Sequence, residues 1–287
     1  MPTLTAQRIV SLAAFFLLLL SAPARAEVLV LRHGYMSTPD TWEKTRINDV
    51  LVQEGWRRGG ILIPAARRHI PDRRQQQNNT GAEDIFYMVE LPWQYPLQSQ
   101  ADALEIAMQR ILEMRPNEDI SLAGHSAGAV VARLWLVQHP RPEIKRLISI
   151  AAPNLGTDRA EDALTLTQPV FGPFDSMRNL LGGKRYNTVR RSRPLVRDLT
   201  PPSRRNPTIL YRLNRQPHPD IAYYSIVRED RRGQDSDWLI SAESQDLNNV
   251  EALRGRSTSY IMPRDHDLSI EDGFMLTRIL AESRVEE

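Results

Sequence analysis

The 287-residue chain has no cysteine at all. Disulfides and thiolate metal sites are therefore excluded, and stability must come from packing. It also lacks an excess of one charge. Lys and Arg number 37 against 35 Asp and Glu, and two of the arginines, Arg8 and Arg25, fall in the N-terminal leader. Without them the remainder is formally neutral, which argues against a phosphate-seeking surface. The arginine pairs at 57–58, 67–68, 73–74, 190–191, 204–205 and 231–232 are scattered rather than clustered, so no nucleic-acid partner is expected. No internal repeat occurs, and no set of residues has a metal-ligand spacing.

A long hydrophobic run is missing as well. The apolar stretch from Ile9 to Leu20 covers 12 residues, short of a bilayer span. It follows Arg8 and precedes Ala24-Arg25-Ala26, an A-x-A pattern. Together these predict a cleaved signal peptide over 1–26 and a secreted or periplasmic domain over 27–287. That length suits one single-core domain.

What is present is an alternation of short β-rich runs with helical periodicities. Strands are expected at 28–31, 61–63, 85–91, 120–123, 144–151, 221–227 and 257–261. Helices are expected over 40–54, 97–114, 127–138 and 269–283. This order predicts an α/β fold, a mostly parallel sheet with helices on both faces. Residues 66–82 read as a polar surface loop. The regularity breaks at 155–205, an irregular insertion that reads either as lid-like, over the ligand end of the sheet, or as a surface excursion.

Gly124-His125-Ser126-Ala127-Gly128 matches G-x-S-x-G and sits directly between a predicted strand and a predicted helix. That setting is the one a nucleophile elbow requires. A Ser hydroxyl needs a base, and the α/β-hydrolase order of Ser, then acid, then His selects one of the six histidines. His33 and His125 lie in tight turns, His139 ends a helix, His69 precedes the Ser, and His218 lies between prolines. His266, after the last strand, is the expected base. Asp237 is the expected acid, which would hold the tautomer of the imidazole and stabilise its cation. Asp235 and Asp230 are rivals nearby, and Asp158 is eligible from the preceding loop. The oxyanion donors are expected to be the N–H groups of Ala127 and of Tyr35, in the turn that ends the first strand.

Three segments carry a family resemblance: 28–35 (Val-Leu-Val-Leu-Arg-His-Gly-Tyr), 122–128 (Leu-Ala-Gly-His-Ser-Ala-Gly) and 150–157 (Ile-Ala-Ala-Pro-Asn-Leu-Gly-Thr). They are similar to the bacterial α/β-hydrolase lipases and esterases, and the inositol-deacylase-like proteins share the same outline. Residues 221–226 with 237–240 resemble the acid-bearing segment of that group, and His266 matches its late histidine. The resemblance implies hydrolysis of carboxylic esters, often of lipids, without a cofactor. The partner would then be a small-molecule or lipid ester, with any membrane-surface contact transient. The same parts also serve acyl transfer or thioester hydrolysis. A non-catalytic binding module that kept the fold is the alternative from another class.

Overall fold

The computed structural model describes residues 26–72, 83–167, 183–205, 207–229 and 237–282. The expected signal peptide therefore lies outside the described residues, apart from Ala26. So do Asp230 and Asp235, and the stretches 73–82 and 168–182 of the two expected loops.

Eight described strands form one sheet: β1 (Glu27–Arg32), β2 (Arg57–Ile63), β3 (Arg68–Ile70), β4 (Ile85–Val89), β5 (Asp119–His125), β6 (Ile144–Ile150), β7 (Ala222–Glu229) and β8 (Ser257–Pro263). Their spatial order is β3-β2-β4-β1-β5-β6-β7-β8. Every pairing is parallel except β2 with β3. This is the α/β-hydrolase fold, and the prediction of a mostly parallel sheet holds. The central strands β1 and β5 are buried on both faces, which explains the unbroken Val28-Leu29-Val30-Leu31 run of β1.

Helices cover both faces. On one side lie α3 (Leu97–Met114) and α4 (Ala127–Gln138), whose Leu104, Met108, Val131 and Trp135 join Val30 and Leu122 in one apolar cluster. On the other lie α1 (Asp40–Lys44), α2 (Ile47–Gln53) and α10 (Ile270–Glu282), packed through Trp42, Leu51, Leu276 and Ile279 against Leu29 and Ile148. The helix expected over 40–54 is thus two helices. Arg46 breaks it with φ of 63°, a left-handed conformation that cannot continue an α-helix. Residues 66–82 are also not all loop, since β3 pairs back onto β2 through Ile61 and Ile70.

The irregular stretch 155–205 contains α5 (Asp158–Leu166), α6 (Gly183–Arg191) and α7 (Arg193–Asp198). Two short helices follow, α8 (Ile209–Leu213) and α9 (Ala242–Gln245). Asp198 is not spent on its own helix: its carboxylate accepts from the Leu97 N–H at 2.9 Å. It thereby caps α3, whose N-cap Pro96 has no side-chain cap of its own. Among the described residues no helix is long and apolar enough to cross a membrane.

Candidate active site

The turn between β5 and α4 explains its own glycines. A Cβ on Gly124 would sit 2.4 Å from the Ala129 Cα, and one on Gly128 would sit 2.3 Å from the His33 carbonyl oxygen. Both neighbours are backbone and cannot swing away, so only hydrogen fits there. Ser126, between them, has φ of 53° and ψ of −133°. A non-glycine residue in that region stores of order 1–3 kcal/mol of strain. The turn is held by the Ser126 N–H, which donates to the Ile150 carbonyl at 2.8 Å. The hydroxyl is thereby fixed at the C-terminal edge of the sheet.

Three residues far apart in sequence meet at this edge. The Ser126 Oγ lies 3.0 Å from His266 Nε2, and His266 Nδ1 lies 2.8 Å from Asp237 Oδ2. All three are buried. With Nδ1–H donating to the carboxylate, Nε2 presents its lone pair to the serine hydroxyl. The arrangement can take a proton from Ser126 and hold it as an imidazolium beside an anion.

The carboxylate itself is fully engaged. Asp237 Oδ1 accepts from the N–H groups of Leu239 and Ile240, at 2.8 and 2.6 Å. Oδ2 accepts a second bond from Gln245 Nε2 at 3.2 Å. Gln245 is completely buried. Its amide also donates to the Ile240 carbonyl at 2.9 Å, and its Oε1 accepts from the Arg228 N–H at 2.6 Å. It therefore ties the acid to the end of β7. No local motif announces Gln245, because its partners lie at the end of β7 and in the separate 237–240 segment. Trp238, next to the acid, turns outward (65% exposed) and meets the His266 ring edge-on, with centroids 6.4 Å apart.

The base is anchored twice. His125 Nε2 lies 2.9 Å from the His266 carbonyl oxygen, so His125 donates to the backbone of the residue that faces its neighbour Ser126. Burial, with a smaller contribution from the nearby His266, drives the His125 pKa down to about 3, so the ring is a neutral donor. Beyond His266, Asp272 near the start of α10 accepts a two-pronged bond from Arg228 Nη2 at 2.6 and 2.7 Å, with both side chains wholly buried. Asp272 also accepts from the Ser269 N–H. The segment between β8 and α10 is thus pinned at His266 itself and again just beyond it.

Across the cleft, the turn after β1 presses on the nucleophile: a Cβ on Gly34 would come 3.0 Å from Ser126 Cβ. Arg32 is buried, among the described residues it pairs with no carboxylate, and it donates to the His33 carbonyl and to Gln100 Oε1. That burial lowers its pKa to about 9. The His33 carbonyl is the group that Gly128 makes room for, so the turn and the head of α4 are locked together. Among the described residues, no protein acceptor takes the N–H of Tyr35 or of Ala127. Both residues line a cavity of about 210 Å³ together with Ser126. Its wall is apolar, with Ala160 and Ala163 from α5, Leu195 and Val196 from α7, and Ile240.

The other sequence candidates fall elsewhere. Asp158 begins α5 and lines a neighbouring cleft of about 410 Å³, with no hydrogen bond to His266. His69 reaches the Gly59 carbonyl, His139 stacks on Trp135, and His218 packs on Tyr223. His33 makes its contacts within its own turn and with the Leu91 N–H. Among the described residues no group of three or more His, Asp or Glu could hold a metal ion.

Residues 72–169 match the family model of the PGAP1-like alpha/beta domain. Among curated proteins no sequence matches the chain. Solved structures share its fold at low identity. The product of the gene lin2722 of Listeria innocua is 14% identical with a TM-score of 0.53, covering 86% of each chain. The mature lipase BlEst2 of Bacillus licheniformis is 13% identical with a TM-score of 0.53, over 90% of this chain and 92% of that one. Est1E of Butyrivibrio proteoclasticus is 12% identical with a TM-score of 0.54, over 93% and 91%.

Proposed function

We propose, from an α/β-hydrolase fold of the kind found in bacterial lipases and esterases, that this protein cleaves carboxylic esters through an acyl-enzyme on Ser126. The observation that carries the reading is the pair of contacts at His266, 3.0 Å to the Ser126 hydroxyl and 2.8 Å to the Asp237 carboxylate. His266 takes the hydroxyl proton as Ser126 attacks the ester carbonyl. The carbonyl oxygen becomes an oxyanion, and the N–H groups of Tyr35 and Ala127 receive it. His266 then gives its proton to the leaving alkoxide. Water, deprotonated in turn by the same ring, releases the acid and restores Ser126. Asp237 keeps the ring in the productive tautomer throughout.

The 210 Å³ cavity beside Ser126 supports an acyl ester as substrate, since most of its wall is apolar and suits a hydrocarbon chain. Helices α5 and α7 of the 155–205 insertion form much of that wall, consistent with a cap over the site. The leader before Glu27 reads as an export signal, so we place the activity in the periplasm or outside the cell.

The test is covalent. A fluorophosphonate probe should label the wild-type chain on Ser126, read by peptide mass spectrometry. Ser126→Ala should lose both the label and p-nitrophenyl ester turnover while its Tm stays close to wild type. Undiminished labelling of the Ala variant would overturn the proposal.

A further inference from the structure

Tyr35 has two ends that face different parts of the site. Its backbone N–H stands free beside Ser126, and its side chain lines the cavity. Its hydroxyl reaches 2.6 Å to the Ser192 Oγ, across 157 residues of sequence. Ser192 is completely buried and is the N-cap of α7. Its own hydroxyl proton goes to the Thr188 carbonyl at 2.9 Å. That fixes the direction of the longer-range bond: Tyr35 donates and Ser192 accepts. Burial raises the Tyr35 pKa, which keeps the phenol protonated and able to donate. The Tyr35 ring is also braced edge-on against Trp93, with centroids 5.4 Å apart.

The helix that starts at Ser192 supplies Leu195 and Val196 to the cavity wall, and Leu199 follows directly after it. At its far end Asp198 is held to the Leu97 N–H. The wall is thus a short rigid bar tied at both ends, and one tie is the side chain of the residue whose N–H faces the nucleophile.

We infer that the cavity takes a linear acyl chain and that the Tyr35–Ser192 hydrogen bond couples the α7 wall to the oxyanion donor, so that a chain filling the cavity sets the Tyr35 N–H for reaction. This rests on the ester-hydrolase reading above. Tyr35 acts here through its hydroxyl as a positioning residue, and Ser192 is its partner. An acetyl group ends beside Ser126 and leaves the wall untouched. An octanoyl chain presses on Leu195 and Leu199 and engages the coupling.

The experiment compares wild type, Ser192→Ala, Tyr35→Phe and the double variant on p-nitrophenyl acetate, butyrate and octanoate, with Tm measured for each. Ser192→Ala should keep its acetate turnover within about twofold. Its octanoate kcat/KM should fall roughly three- to tenfold, the range of one net hydrogen bond. The loss should appear in kcat rather than KM, because the oxyanion exists only in the transition state. Tyr35→Phe should lose the same factor on octanoate, and the double variant no more than either single change. An equal loss on all three esters, strictly multiplicative losses in the double variant, or unchanged octanoate turnover would each overturn the inference. These outcomes leave fluorophosphonate labelling of Ser126 intact, whereas failure of the parent reading removes labelling and all turnover from the wild type.

Discussion

The two sides of the candidate site are built in different ways. On the nucleophile side the geometry is made by backbone. Gly124 and Gly128 are hydrogen where a methyl would strike main-chain atoms, and Ser126 is wedged into a left-handed turn between them. On the acid side it is made by side chains. Asp237, Gln245, Arg228 and Asp272 pass hydrogen bonds through the interior from one segment to the next. Backbone constraint is local, so it leaves a compact signature. A side-chain network is distributed, so each member looks ordinary where it stands. The first kind of construction fails through a clash, and the second through an unsatisfied partner.

The strongest way to break this comparison is at the acid. Asp237→Asn preserves shape but loses the charge and the fixed tautomer of His266. On the ester-hydrolase reading kcat should drop by about 10³- to 10⁴-fold with little change in Tm. A steady-state assay that found less than a tenfold loss would mean that another carboxylate serves the ring.

Gly128→Ala probes the other side. Its methyl would meet the His33 carbonyl at 2.3 Å and push the Tyr35 turn away from Ser126. A loss of about 10²-fold in kcat is expected, comparable to removing one oxyanion donor, together with a lowered Tm. Near-normal turnover would show that the turn is not locked to α4 in the way the missing Cβ suggests.

A subtler effect is expected at Gln245. Gln245→Glu keeps the acceptor for the Arg228 N–H but replaces the amide that faces Asp237 with a second carboxylate. The acid limb of the kcat profile should move to higher pH, because neighbouring like charges disfavour the ionised state. A roughly tenfold loss at neutral pH is expected. A purely structural glutamine would lower Tm and leave the shape of the profile unchanged.

The smallest expected effect is on stability. Burial lowers the pKa of His33, of His125 to about 3, and of His218 to about 4. Each ring binds a proton more readily in the unfolded chain, at about 6.5. Their contribution is therefore complete above about pH 6.5, and it is lost progressively as pH falls through that value toward the folded-state pKa. Calorimetry should find Tm lower by on the order of 10 °C at pH 5 than at pH 7. His125→Gln should flatten that slope, and an unaltered slope would assign it to other groups.

The same contrast explains what could be read from the sequence. The parallel sheet, the bounds of α3 and α4, and the elbow were all legible, because periodicity and glycine spacing are local signals. The split at Arg46 was hidden, since only the backbone reveals the left-handed residue there. The pairing of β3 was hidden because a three-residue strand on an edge carries little pattern. Chain order was enough to nominate His266 and Asp237, and the structure sets His266 against Ser126 and Asp237 against His266. It could not nominate Gln245 or Ser192, whose partners lie in other segments.

The buried pair of Arg228 and Asp272 has a consequence for how the chain can be shortened. Every group proposed to react lies before α10, so a polypeptide stopped after Leu268 would retain all of them. It would also leave a guanidinium sealed inside the protein with no anion beside it, a defect of about 3–5 kcal/mol. Helix α10 is the counterweight that lets a positive charge sit in the interior at the end of β7, and a nonsense codon or a protease cut before it would end activity without touching the chemistry.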